Sequence, residues 1–309
     1  MKTKTTKFAL LAFALNLICQ VQIANAQQDL KWQLTTGDQF TVTLVQTSDS
    51  KTNVDSRATE MNSSSTIVMD WNVTKVADNG DATIQQELVS IKVDVGDPAI
   101  PAQAVAYNTA SEEKPSKTSR TLLKQVRPLI GLKFDVVMSA RGEIKEVTLP
   151  QATADAIVKL PDAMKLKNLF SEKGLKDILG TSAIVLPEGN LKSGESWKEE
   201  SSLVTPFGQF NRVRKYTFNG MKTVDGHELA EFTLDATMEK IEETGAAQTP
   251  ESIGKLLKSA GSGILRLDVE GGYFTSSKIN NEVQTERPYR EKMITSVLTN
   301  EIQMRVEKK

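Results

Sequence analysis

The chain is 309 residues long, with 38 lysines and arginines against 39 aspartates and glutamates, a formal net charge of −1, one cysteine and one histidine. That balance excludes a nucleic-acid partner, which needs a basic surface to displace the counterions of phosphate. An aromatic share of 6 % disfavours a sugar-binding platform of exposed rings, and one imidazole with one thiol cannot build a Cys/His zinc site.

In chain order, Lys2, Lys4 and Lys7, the apolar run Phe8 to Ile18 broken by Asn16, and the small residues of Ala24-Asn25-Ala26 read as a secretory leader. The run is about half of the roughly 20 residues a membrane-spanning helix requires, so the leader is expected to be cut after Ala26. Cys19 follows Ile18, where a lipoprotein signal has a small residue, which argues against lipidation there. The expected product is an exported chain, periplasmic or secreted, with 35 basic and 39 acidic residues, a net charge of −4 and no cysteine for disulfides.

From Gln27 to Pro150 the pattern predicts a first β-rich module. Ser48 to Ser64 reads as a polar loop. Ile67, Met69, Trp71 and Val73 then share one face, with Val68, Asp70 and Asn72 opposite. Asp78-Asn79-Gly80-Asp81 marks a hairpin turn, and a parity switch between Leu88 and Val89 predicts a β-bulge. A second loop runs from Asp97 to Ser119, before a short helix over Thr121 to Pro128. Gln151 to Leu160 and Ala163 to Leu179 have helical spacing, with Gly174 as a break, and connect the modules over residues 151–185.

The second module is expected over residues 186–309. Ala230, Phe232, Leu234, Ala236 and Met238 alternate with polar residues. Pro250 to Ala260 reads as a helix capped by Thr249. Ile294, Leu298, Ile302, Met304 and Val306 lie in phase, interrupted by Ser296 and Asn300; this length exceeds the usual strand of about 5 to 6 residues and implies a large, curved sheet.

The two modules are weakly similar. Gly37-Asp38-Gln39-Phe40 is echoed by Gly194-Glu195-Ser196-Trp197, and the turn at Asp78–Asp81 by Asp225-Gly226-His227. Leu122-Leu123, Gly131, Leu132 to Val137 and the turn at Arg141-Gly142 recur as Leu256-Leu257, Gly263, Ile264 to Val269 and Gly271-Gly272. Repetition of these features in the same order predicts an internal duplication.

On these residues, with Leu186-Pro187-Glu188-Gly189 before the second Gly-acid-x-aromatic unit, the chain resembles an exported bacterial family classed as a domain of unknown function. By analogy the resemblance implies a curved sheet similar to envelope lipoprotein carriers. The expected fold is therefore mainly β with a few helices (α+β): a curved, antiparallel, half-barrel-like sheet of two halves, with helices on the concave side. The resemblance implies no site residues.

Catalytic motifs are sparse. His227 sits in a hairpin turn, where it reads as a solvated surface residue, and Ser262 lies in Gly-Ser-Gly without a nucleophile elbow. Asp78–Asp81 lacks the spacing of a calcium loop, and Glu239, Glu242 and Glu243 read as a solvated charge run. No cofactor and no metal are expected. The reading is a non-enzymatic binding or carrier module for an apolar ligand or lipid, its cavity lined by Met69, Trp71, Phe232, Met238, Leu298 and Met304. The alternatives are a structural or protein-interaction module of the envelope and a carboxylate-dependent hydrolase.

Overall fold

The computed structural model describes residues 29–54, 57–101, 104–112, 115–159, 170–182, 184–205, 208–240, 255–289 and 292–309; the leader expected over residues 1–26 lies outside them. The strands are β1 (Gln39–Val54), β2 (Arg57–Val76), β3 (Ala82–Gly96), β4 (Val105–Asn108), β5 (Lys133–Met138), β6 (Ile144–Thr148), β7 (Ser196–Thr205), β8 (Gly208–Val224), β9 (His227–Lys240), β10 (Lys255–Asp268), β11 (Tyr273–Tyr289) and β12 (Lys292–Lys308). The helices are α1 (Lys117–Val126), α2 (Gln151–Val158) and α3 (Glu172–Ser182).

All twelve strands join one antiparallel sheet in the order β6-β5-β3-β2-β1-β12-β11-β10-β9-β8-β7, with β4 added to β3. It stays open between β6 and β7, a curved half-barrel and not a closed one. The runs β1, β2, β3, β5, β6 and β7 to β11 each follow chain order, and β12 sits between them, paired with β1 and β11. Each run opens on a similarly built turn. Gly37 and Gly194 have positive φ, the Asp38 and Glu195 carboxylates accept from Thr35 N and Lys192 N, and the Gly N–H groups donate to Val73 O and Phe218 O.

The alternation predicted for Ile67 to Val73, Ala230 to Met238 and Ile294 to Val306 is present. The bulge is where the parity switch placed it: Val68 pairs with Ser90 and Met69 with Leu88, which leaves Val89 extra. Several expectations are corrected. Asp97 to Ser119 is not one loop: it holds β4 (Val105–Asn108), paired with β3, and the start of α1 at Lys117. Ser48 to Ser64 is no loop but the β1–β2 hairpin, with Ser48 opposite Ser63 and Thr52 opposite Thr59. Apart from the exposed Met61, its strands are mostly polar on both faces, while backbone pairing on either side of β1 holds them extended. The helix expected at Pro250 to Ala260 is strand from Lys255 onward, because β11 supplies a ladder along Lys255 to Asp268; its start lies outside the described residues. Gly174 does not break α3, and α1 starts earlier than expected because the Ser116 side chain caps it by accepting from Ser119 N.

Alternation gives the sheet an inward face with Phe40, Val42, Ile84, Val136, Phe232 and Leu267 almost fully buried. Over β2, β3, β5 and β6 this face is covered by helices: Val126 and Ile157 pack with Leu88 and Ile91, and Leu175 of α3 packs with Phe134 and Val136. Over β7 to β11 the cover is two chain segments crossing one end of the sheet, residues 30–34 and 184–186. Trp32 N donates to Ala140 O, Gln33 N to Gly272 O and Leu186 N to Arg141 O, each at 2.8 Å. Each run's leading strap thus rests on the Gly turn of the other, Gln33 on Gly272 and Ile184 against Gly142.

Outward positions of the central strands are polar, as at Thr41, Glu301, Lys278 and Arg305, the reverse of the lipid-facing band of a membrane barrel. No helix among the described residues is long and apolar enough to cross a membrane. Because the Phe40–Val54 ladder to β12 joins the two runs, Gln27–Pro150 and Leu186–Lys309 expressed separately are expected not to fold as monomers. Circular dichroism melts and size-exclusion chromatography check this; two cooperative, monomeric fragments would contradict the single-sheet architecture.

Candidate functional site

The strand registers sort the inward face into rows that cross the sheet. Nearest the straps, Trp71 pairs with Phe40, and Met69 with Val42 and Val306 through neighbouring strands. These rows are packed. Trp32, Phe274, Phe232, Phe218 and Trp197 form a chain of ring contacts at 5.4 to 5.9 Å, which tilted aromatic packing favours.

Farther from the straps the same face changes character. Ser63, Ser48, Asn300, Asn281 and Gly261 form a small polar row. The next row runs Met61, Ser50, Leu298, Val283, Ser259 across β2, β1, β12, β11 and β10. It continues one step past the last β9–β10 pair, Ala236–Gly261, to Met238, which pairs with Arg212 of β8 and through it with Ser201 of β7. In this row Met61 is 50 % and Leu298 40 % exposed.

All six expected cavity residues lie on the inward face, but at two levels. Met69, Trp71 and Met304 pack partly buried against Phe40 and Val42, and Phe232 is fully buried among Phe218 and Phe274. Met238 and Leu298 belong to the open row. Sequence reasoning missed Met61 and Ser50, read as loop, and Arg212, Arg214 and Glu199. A signal for the arginines exists, since they stand in phase with Tyr216 and Phe218, whose partners are core residues.

The charged part of the face is built from β7 and β8. The Arg214 Nη2 donates to Glu199 Oε2 at 2.7 Å, Glu199 Oε1 accepts from Val185 N at 2.7 Å, and the guanidinium lies 5.8 Å over the Tyr216 ring. Only 8 % of Arg214 is exposed, so Glu199 supplies the counter-charge that such burial requires. Arg212 is half-buried in the adjacent row and its Nε donates to Ser201 Oγ at 3.3 Å. Burial first, and then the Arg214 charge, hold Arg212 below the ordinary arginine range. Burial pushes the Tyr216 phenol upward, so it stays neutral.

The outward face has its own cleft of about 550 Å³, lined by Asp49, Asp235, Glu282 and Glu301 with Ser262 and Asn280. Lys258 and Lys278 bond Glu282 and Glu301 at 2.9 Å and hold both carboxyls below the usual range. That direction is opposite to the upward shift of a glycosidase-type general acid. Among the described residues no group of three His, Cys, Asp or Glu side chains is placed to hold a metal ion. His227 is exposed at the start of β9, opposite Val224, and Asp81 of the Asp78–Asp81 turn is bonded by Lys145 at 2.6 Å.

Residues 79–250 match the model of a family described as of unknown function, DUF6263. No curated protein matches the sequence. Among solved structures, a lipovitellin is similar over 89 % of this chain at 12 % identity and a TM-score of 0.47, and the chain spans about a quarter (25 %) of it. An outer membrane channel from Pseudomonas putida F1 is similar at 8 % identity and a TM-score of 0.24, covering 90 % of this chain and 98 % of the channel. A DUF1329 family protein from Desulfovibrio piger is similar at 11 % identity and 0.21, covering 85 % and 84 %. These scores are too low to transfer a property of any of the three to this chain.

Proposed function

Because the chain belongs to the family of unknown function DUF6263, its task has to be read from its own surface, and we propose that it is a non-enzymatic binding or carrier module for an apolar ligand or lipid, exported to the envelope after loss of its leader. The observation that carries this reading is the open row of the inward face, where Met61 and Leu298 stay exposed beside Val283 and Met238. Apolar side chains on a curved face suit an acyl chain, and the two methionines adapt to its shape. Toward the straps the same face is filled by the chain itself, which leaves the open row as the place for a ligand.

A structural or protein-interaction role in the envelope is the second reading, favoured by α1, α2 and α3, which already cover the inward face of the first run. Native mass spectrometry of the protein purified from its own envelope separates the two. A co-purifying lipid mass on a chain that begins at Gln27 is the expected result. A ligand-free chain would remove the carrier reading, and a lipidated start at Cys19 would replace the soluble exported form with an anchored one.

A further inference from the structure

Charge is distributed unequally between the two faces of the sheet. The chain carries 39 acidic residues, yet every Asp and Glu on β1, β2, β3, β11 and β12 takes an outward position: Asp49, Glu60, Asp70, Glu87, Asp94, Glu282, Glu286, Glu301 and Glu307. Inward positions on these strands hold Arg57 and Arg287 at the far rim, and β8 adds Arg212 and Arg214. Glu199, the carboxylate level with the β8 arginines, is bonded to Arg214 and to Val185 N. On the described residues of β1, β2, β3, β8, β11 and β12 every charged inward position is basic.

Among the described residues, Arg212 stands in the inward row that holds the exposed Met61 and Leu298. We propose that this row binds a long-chain amphiphile through an oxyanion head group, with the head on the Arg212 guanidinium and the chain lying across the strands over Met238, Val283 and Leu298. The proposal rests on the binding reading above and adds the chemistry of the ligand. From β8 to β12 the row crosses four strand steps, three of them paired at about 4.8 Å and the β9–β10 step past the end of its ladder, so at least about 19 Å, a distance that a long acyl chain covers. A guanidinium presents a planar fork of donors that matches a carboxylate or phosphate. Arg214, fixed behind it by Glu199 and Tyr216, adds positive field without leaving its own pair.

The test uses the delipidated protein and three probes: palmitate, 1-hexadecanol and inorganic phosphate, titrated by calorimetry. Palmitate is expected to bind at least tenfold more tightly than hexadecanol. Arg212→Gln is expected to bring palmitate down to the hexadecanol level with hexadecanol unchanged, and Arg212→Lys to keep part of the advantage. Leu298→Glu, at a position 40 % exposed and with its fold checked by circular dichroism, is expected to weaken palmitate at least tenfold, which keeps the test valid even where an Arg212 variant misfolds. Equal wild-type affinities for the two chains, or an equal loss of both in Arg212→Gln, would overturn the head-group assignment while the carrier reading stands. Displacement of palmitate by millimolar inorganic phosphate at equal affinity would overturn it in favour of a free oxyanion. Failure of both chains to bind would remove the carrier reading itself.

Discussion

Truncating Phe232 to alanine is expected to lower the unfolding free energy by about 3 to 5 kcal/mol, the range for a buried aromatic side chain. Phe232 has no exposed surface, and its ring touches Phe218, Phe274 and Trp197 at 5.4, 5.9 and 5.9 Å. Phe232 itself stands between two ladders, opposite Phe218 of β8 and Leu265 of β10, which limits collapse of the backbone into the space. Trp71→Ala tests the same range on the other half of the face, where the indole is only partly buried against Phe40 and Met69. Urea denaturation followed by tryptophan fluorescence reads Phe232→Ala, and circular dichroism reads both variants. A loss below about 1 kcal/mol in either would mean that the side chain is not part of a packed core.

Gly272→Ala is expected to be almost as severe, for a different reason. The residue has φ +70°, which costs an L side chain about 1–2 kcal/mol. A methyl group there would also lie 2.9 Å from the Gln33 N and Cα, backbone atoms that a rotamer change cannot move. Overpacking of that kind adds about 1–3 kcal/mol, so the total expected is about 2–5 kcal/mol. Gly194→Ala is the control, because its φ is +86° and nothing lies within 4 Å of the added methyl. It should show the conformational part alone. Equal melting temperatures for the two variants would show that the Gln33 strap does not bear on the turn.

Period-2 alternation makes the inward faces of β2, β9 and β12 legible in the sequence alone, along with the bulge at Val89, because one face of each meets an apolar layer. Where both faces are mostly polar the same backbone leaves no such trace, which is why Ser48 to Ser64 reads as a loop. At Pro250 to Ala260 the local signals, a cap, a first-turn proline and paired leucines, all favour a helix. The β11 ladder outweighs them from Lys255 onward, an example of tertiary pairing overriding propensity. The candidate site is half legible. Single strands place Met69, Trp71, Phe232, Met238, Leu298 and Met304 on apolar faces, but only the registers divide them between a packed level and an open one. Arg212 and Arg214 are visible as charged residues in phase with Tyr216 and Phe218, a pattern whose meaning depends on knowing that Glu199 stands opposite.

The pairing of β1 with β12 also sets an order of events in folding. Phe40 meets Lys308, and Val54 meets Ile294, so the central seam of the sheet joins segments some 252 residues apart in sequence, as at Ser48 and Asn300. Contacts of such sequence separation are slow to form, and β1 must wait with one side unpaired until the last 17-residue strand has been synthesised. A waiting strand edge invites pairing with other chains. The far half of β1, Gln46 to Asn53, is rich in serine, threonine, aspartate and lysine, with no large apolar side chain to hold a wrong partner. The polarity that hides this strand from sequence reading therefore protects the incomplete chain from aggregation while it waits.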